Sequence, residues 1–207
     1  MKRLIGSFLI FGFTFLYGQN FQKLSEHEIQ IIASEKLPVI QKTNPQDSLI
    51  LKTVSKLIDP KDWGTKILAE KMLDAVTLEG GVGIAAPQVG INRRMVWVQR
   101  FDKEEMPFEL FINPEIIWAS ELLQKGPEGD LSFEERGMVM RSYIVQVRYQ
   151  NLEGETFTEM LEGFTAVIFQ HERDHLDGIL LTDRIQEQKS ILYKSASESS
   201  DLYFEKD

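Results

Sequence analysis

The spacing of apolar residues first indicates a helix over residues 62–78. Apolar positions recur there every three or four residues, at Ile67, Leu68, Met72, Ala75, Val76 and Leu78. This spacing places them on one face of an α-helix. The preceding segment 59–62, Asp-Pro-Lys-Asp, favours a helix start, and the glycine-rich run 80–83 breaks the pattern. We therefore predict an amphipathic helix over these residues.

Short runs rich in β-branched and aromatic residues predict strands in the middle of the chain. The turn sequence Asn-Leu-Glu-Gly at 151–154 indicates that the last two of these runs form a hairpin. The predicted strands are 95–98, 109–114, 116–118, 144–149 and 155–161.

A second helix is predicted over residues 164–175, where apolar residues and two histidines fall on one side. Gly178 follows as its end signal. The stretch 19–46 is polar and contains two prolines, so we expect no long helix there. Beyond Arg184 the composition predicts a short helix and a loose tail. Strands followed by one core helix indicate an α+β domain.

Composition narrows the class of protein. The chain has 207 residues, enough for one domain, and its 43% hydrophobic and 27% charged content is ordinary for a globular protein. A net charge of -9 gives no case for nucleic acid as a partner. The absence of cysteine excludes disulfides, thiolate metal ligands and a cysteine nucleophile.

The first residues differ from the rest. Lys2 and Arg3 precede an apolar run at 4–17, and Gly18 offers a small residue for cleavage. This pattern predicts a signal peptide at 1–18, and hence a periplasmic or secreted protein with no stable membrane insertion after cleavage. The alternatives are an uncleaved anchor, a buried helix or a misassigned start. The protein would be cytoplasmic if this segment is not a signal.

Two of the three histidines, His171 and His175, are four residues apart. On a helix this spacing puts both imidazoles on one face, where they can bind one metal ion. Glu172 beside them could take a proton from water. The motif needs a third ligand from elsewhere. The same motif could consist of two ordinary histidines, either in the core or exposed to solvent. Burying both of them with a glutamate and no partner would, however, be costly in free energy.

Three ordered segments resemble the peptide deformylase family. They are Gly-Val-Gly-Ile-Ala-Ala-Pro-Gln at 81–88, Glu-Gly-Asp-Leu-Ser at 128–132, and Gln-His-Glu-Arg-Asp-His-Leu-Asp-Gly at 170–178. The resemblance covers about 37–185. It implies antiparallel β-sheets around a central helix that carries the His-Glu-x-x-His motif. On this reading residues 19–185 form the deformylase-like domain, and 186–207 form a C-terminal helix or tail.

The resemblance also implies residue roles. Asp130, His171 and His175 would hold one divalent ion, Fe²⁺ or Zn²⁺. Glu172 matches the general base, and Gln88 with the Leu131 N–H matches the donors to the oxyanion. Glu128 would pair with an arginine, for which Arg141 is the candidate. The implied substrate-binding residues are Val82, Gly83, Ile84, Gly129, Arg136, Phe164, Val167 and Ile168.

This sequence departs from the family pattern at Asp130, where the family has a cysteine. A carboxylate is a competent third ligand, but it could also bind through two oxygens and fill the water position. The following segment 132–136 lacks the family's proline and is one residue shorter, which predicts that one wall of the substrate groove differs from that of the family. Export is a third departure, because formylmethionine is removed in the cytosol.

The function that the resemblance implies is hydrolysis of the formyl group from N-formylmethionyl peptides, by water activated at the metal with Glu172 as base. An exported metallo-amidase or aminopeptidase-like enzyme with an Asp/His/His site is the alternative. A non-catalytic peptide-binding relative ranks last, because Glu172 and both histidines are present. We expect a monomer that binds a formylated or other peptide and no nucleic acid.

Overall fold

The computed structural model describes residues 20–206, so the predicted signal peptide at 1–18 lies outside the described residues. Two antiparallel sheets and one central helix form the framework of this part. The helices are α1 (Glu26–Ile32), α2 (Pro45–Leu51), α3 (Trp63–Glu79), α4 (Gly163–Leu176) and α5 (Leu181–Gln188). The strands are β1 (Gly83–Ala85), β2 (Met95–Gln99), β3 (Phe108–Ala119), β4 (Leu123–Asp130), β5 (Phe133–Ser142), β6 (Ile144–Gln150), β7 (Thr156–Glu162), β8 (Tyr193–Ser195) and β9 (Leu202–Glu205).

The first sheet has the strand order β1-β2-β3-β6-β7, and helices cover both of its faces. Alternate residues of a strand point to opposite faces. Ile84 and Ile112 accordingly pack into the core on the side of α3, whereas Ala85 and Phe111 pack on the side of α4. Both faces are therefore buried, and strand β1 is held between the two helices.

Helix α3 confirms the first predicted helix. The Asp62 side chain accepts a hydrogen bond from the Gly64 N–H at 3.2 Å and caps the start. Gly80 ends the helix in the left-handed conformation with φ of 66°. The apolar face of α3 then buries residues such as Leu68 and Met72 completely.

Helix α4 confirms the second predicted helix and lies between the two sheets. Phe169 is fully buried and meets the Phe111 ring edge-on, with ring centroids 5.2 Å apart. On its other side α4 faces strand β5 of the second sheet, which has the order β5-β4-β9-β8. The polar face of the helix is thus enclosed by protein as well as its apolar face.

The second sheet was largely missed from the sequence. Strands β4 and β5 carry Pro127, glycines and several charges, which are depleted in strands, so their pattern gave no signal. The prediction of a loose tail is wrong, because β9 pairs with β4, with Tyr203 opposite Leu123. This pairing joins residues that are far apart in sequence, so the local composition of the tail could not predict it.

Smaller differences have local causes. The two predicted strands 109–114 and 116–118 are one strand, β3, with an irregularity where Asn113 has a positive φ of 50°. The polar stretch 19–46 contains α1, capped by Ser25, and the start of α2, capped by Asn44. No helix in the described part of the chain is long and apolar enough to cross a membrane.

The packing of α4 predicts a large effect at Phe169. We expect Phe169→Ala to lower the free energy of unfolding by about 3–5 kcal/mol, since it opens a cavity in a fully buried position. Denaturant unfolding measures this value. Met160→Ala is the control, because Met160 is 48% exposed and should change stability by no more than about 0.5 kcal/mol. Equal losses in both variants would contradict the packing argument.

Candidate active site

Helix α4 brings the three predicted motif residues together in the protein interior. His171, Glu172 and His175 are all buried, and the two imidazole rings are 5.1 Å apart. The four-residue spacing puts both histidines on the face that looks toward the second sheet. The prediction of a core helix that carries both histidines is therefore confirmed.

Asp130 supplies the third predicted ligand from the end of β4. Its Oδ2 atom lies 3.1 Å from His175 Nε2 and 3.5 Å from His171 Nε2, and its side chain is 0% exposed. Ligand atoms of the three residues all lie within 4.8 Å of one another, close enough to hold one ion. Asp130 Oδ2 and His175 Nε2 are buried without a hydrogen-bond partner. Such atoms are costly unless a cation engages them, so a metal ion fits this donor set.

Glu128 orients His171 from behind. Its Oε2 atom lies 2.9 Å from His171 Nδ1, which leaves Nε2 directed toward Asp130. Arg141 donates two hydrogen bonds to the same carboxylate, at 2.8 and 2.9 Å, so the expected pairing with Arg141 is confirmed. Such a carboxylate–histidine arrangement fixes the ring of a metal ligand.

The chain of charges continues beyond the predicted residues. Arg141 also donates to Asp174 at 2.5 Å, and Arg184 from α5 donates to Asp174 at 2.9 and 2.6 Å. The sequence indicated that Asp174 orients a histidine or caps a turn, and it indicated no part in the site for Arg184. Asp174 directly precedes His175, and this position next to a candidate ligand was the sequence signal for its role. Arg184 could be identified only from the packing of α5.

The electrostatics of the site favour a cation between the ligands. Burial works against the charged form of Asp130, but the two histidines hold its pKa well below the usual range. Burial also opposes a charge on His171, yet the nearby carboxylates of Asp130 and Glu128 raise its pKa to about 10. The surroundings thus stabilise positive charge at this point, which a metal ion can supply as well as a proton.

Glu172 is buried beside the candidate ligands. Burial raises its pKa to about 7, although His171 and His175 act in the opposite direction. Its Oε2 atom has no hydrogen-bond partner. A Cβ atom on Gly83 would lie 2.5 Å from Glu172 Oε1, so only glycine permits strand β1 to pass this close. A carboxylate with a pKa near neutrality is suited to accept and return a proton.

Gln88 and Leu131, the two predicted donors to the oxyanion, both border the cavity beside the candidate ligands. Gln88, in the 3₁₀ turn Ala86–Val89, is 1% exposed and borders the same cavity as Leu131. Residues 40 and 41, which precede α2, form hydrogen bonds to both Gln88 and Leu131. The Ile40 N–H donates to Gln88 O at 2.9 Å, and Gln41 Nε2 donates to Leu131 O at 3.1 Å. This bridging segment was not found from the sequence.

An open cavity of about 310 Å³ adjoins the site. Arg136 is exposed and lies over Gly129, where a Cβ atom would contact it at 3.5 Å. The predicted substrate-binding residues that line the cavity are Val82, Gly83, Gly129, Arg136, Phe164, Val167 and Ile168.

Ile84 is the exception among the predicted pocket residues. It is fully buried and packs in the core beside α3. Because successive side chains of a strand alternate, Gly83 faces Glu172 and Ile84 must face the other way. The assignment of Ile84 to the pocket is therefore wrong.

Comparison with known proteins identifies the family of this chain. The sequence model of the polypeptide deformylase family matches residues 37–190. The peptide deformylase of Thermotoga neapolitana is 42% identical over 146 residues, which make up 70% of this chain and 87% of that protein. The Brucella melitensis protein named peptide deformylase-like is 38% identical over 138 residues, 65% of this chain and 82% of that protein.

Solved structures lead to the same family. The Met-Ala-Ser bound class I type b peptide deformylase from Acinetobacter baumannii has a TM-score of 0.67 and 38% identity, covering 73% of this chain and all of that one. The peptide deformylase from Thermotoga maritima has a TM-score of 0.66 and 35% identity, covering 73% and 98%. The predicted α+β fold is thus confirmed. This chain belongs to the polypeptide deformylase family and is a metal-dependent hydrolase of that family.

Proposed function

We propose that this protein removes the formyl group from N-formylmethionyl peptides with Asp130, His171 and His175 as its metal ligands. The observation that carries the proposal is the convergence of these three side chains on one point beside the buried Glu172. The open cavity next to them gives a substrate access to that point. Family membership supports the reaction class.

The proposed ion is Fe²⁺ or Zn²⁺, held by one carboxylate oxygen and two imidazole nitrogens. Two histidines and one carboxylate form a ligand set found with both metals. When bound, such an ion makes water more acidic and polarises a carbonyl oxygen. The site residues then have to orient the reactants, carry the proton and stabilise charge.

Glu172 carries the proton in the proposed reaction. Its carboxylate accepts a proton from the attacking water as the water oxygen bonds to the formyl carbon. Negative charge develops on the formyl oxygen, and the Gln88 side-chain amide and the Leu131 N–H donate hydrogen bonds to it. The carbon–nitrogen bond then breaks, and Glu172 returns the proton to the leaving nitrogen. Formate and a free N-terminal amine result.

The cavity supports a substrate with an apolar first side chain. Val82, Phe164, Val167 and Ile168 give it an apolar lining next to the reacting position. Unbranched methionine adapts well to such a lining. Arg136 is the charged residue at the exposed edge, where the rest of a peptide would leave. The bound Met-Ala-Ser in the Acinetobacter baumannii structure supports this substrate class.

We further propose that the protein acts outside the cytosol as a monomer, on formylated peptides. The basic start and apolar run of residues 1–18 support export. N-terminal sequencing of the protein recovered from cells tests this point. Recovery of the chain from the periplasm or medium with residues 1–18 removed is expected, and an intact N-terminus in the cytosol would contradict export.

Hydrolysis of formyl-Met-Ala-Ser tests the activity. The loaded protein should release formate from it, but should not act on unformylated peptides or simple acyl amides. Glu172→Gln should lower kcat by about 10²–10⁴, because an amide of the same shape cannot accept the proton. Its metal content, measured by elemental analysis, should stay at that of the unsubstituted protein. Full activity in this variant would contradict the role of Glu172.

The close approach of strand β1 predicts the effect of Gly83→Ala. The new methyl group must displace the side chain of Glu172 or Ile168, because Glu172 Oε1 lies 2.5 Å and Ile168 Cγ2 lies 2.7 Å from the ideal Cβ position. Misplacing the base should lower kcat/KM for formyl-Met-Ala-Ser by about 100-fold. Gly126→Ala is the control, since nothing lies within 4 Å of its Cβ position. Unchanged kinetics for Gly83→Ala would contradict the argument.

The hydrogen bond behind His171 predicts weaker metal binding in Glu128→Gln. Loss of the carboxylate charge should raise the dissociation constant for Zn²⁺ by about 10–100-fold. Competition with a chromophoric chelator measures this constant. Glu134→Gln removes the same charge from an exposed position of β5 and should leave the constant unchanged. Equal changes in both variants would show an effect of net charge alone.

A further inference from the structure

The two oxygens of the Asp130 carboxylate have different surroundings. Oδ1 accepts hydrogen bonds from Gln88 Nε2 at 3.1 Å and from the Ser132 N–H at 2.8 Å. Oδ2 accepts none, and it is the oxygen that faces both histidine nitrogens. One carboxylate oxygen, Oδ1, is therefore hydrogen-bonded, whereas the other, Oδ2, is free of hydrogen bonds.

Gln88 is fixed at both ends of its amide. Its Oε1 atom accepts a hydrogen bond from the Ala85 N–H at 2.9 Å, and its Nε2 atom donates to Asp130. These partners determine which way the amide points, because the Ala85 N–H requires an oxygen and the carboxylate requires a donor. With a side chain 1% exposed, Gln88 has little freedom to turn away.

The second donor comes from the hairpin itself. Ser132 lies in the two-residue turn that joins β4 to β5, and its backbone N–H points back to Asp130. Its carbonyl oxygen accepts from the Lys42 N–H at 2.9 Å, so the turn is anchored from outside the hairpin. A backbone donor held in this way cannot reorient as a side chain would.

We propose that Gln88 and Ser132 hold Asp130 as a one-oxygen metal ligand. A carboxylate can bind a metal through one oxygen or two, whereas a thiolate has only one donor atom. Binding through both oxygens would weaken the two hydrogen bonds that Oδ1 accepts, and the Asp130 side chain is 0% exposed, so that loss is unfavourable. Holding Oδ1 therefore keeps a coordination position open for water and substrate. The inference rests on the proposed metal ligands, and it makes Gln88 a positioning residue for Asp130 as well as a donor to the oxyanion.

The test compares the visible spectrum of the Co²⁺-loaded protein in four forms. The unsubstituted protein should give the intense bands of low-coordinate cobalt. Gln88→Ala frees Oδ1 on one side, so it should lose band intensity as a second oxygen binds. The matched control is the same substitution in an Asp130→Cys background, where the thiolate offers no second atom and the intensity should stay unchanged. Equal intensity loss in both backgrounds, or none in either, would overturn the proposal.

Infrared spectroscopy of the unsubstituted protein removes any dependence on how the variants fold. With ¹³C-labelled aspartate, metal loading should leave the two carboxylate stretching bands widely separated, as one-oxygen binding requires. A narrow separation indicates two bound oxygens and would overturn the proposal. A narrow separation in a protein that still hydrolyses formyl-Met-Ala-Ser would contradict this inference alone. A wide separation in a protein without that activity would support it and contradict the proposed substrate.

Discussion

The buried ion pair between Glu128 and Arg141 connects the two halves of the structure. Glu128 lies on β4 and Arg141 on β5, and the pair reaches α4 at two points, His171 and Asp174. Charges this deeply buried are unstable unless each is matched by a partner with good geometry. The hairpin and the helix can therefore adopt few relative positions, and the position they adopt aims His171 at Asp130.

The need to pair each buried charge also explains why a carboxylate at position 130 is compatible with the site. Asp130 has two hydrogen-bond donors for one oxygen and two imidazoles near the other. A thiolate and a carboxylate carry the same charge, so the electrostatic balance of the site is kept while the softness and length of the metal bond change. The chain consequently retains a three-residue donor set although it contains no cysteine.

Elements with strong local signals were predictable, and elements formed by long-range pairing were not. Helices α3 and α4 follow from apolar spacing and their end signals. Strands β4 and β5 contain glycine, proline and charged residues whose role is to face the site or α5, so local propensity worked against them. Strand β9 forms by pairing with the free edge of β4, and the sequence of residues 202–205 alone does not indicate that pairing.

The candidate site divides in the same way. The sequence by itself determined the candidate ligand types, the candidate base and the order of the three motifs, since helical spacing puts His171 and His175 on one face regardless of the rest of the fold. Only the tertiary structure decided that Ile84 faces the core, that Arg184 joins the buried charges and that Asp130 presents a single free oxygen. The physical reason is that each of these depends on which groups meet across distant segments, where burial makes an unmatched polar atom costly.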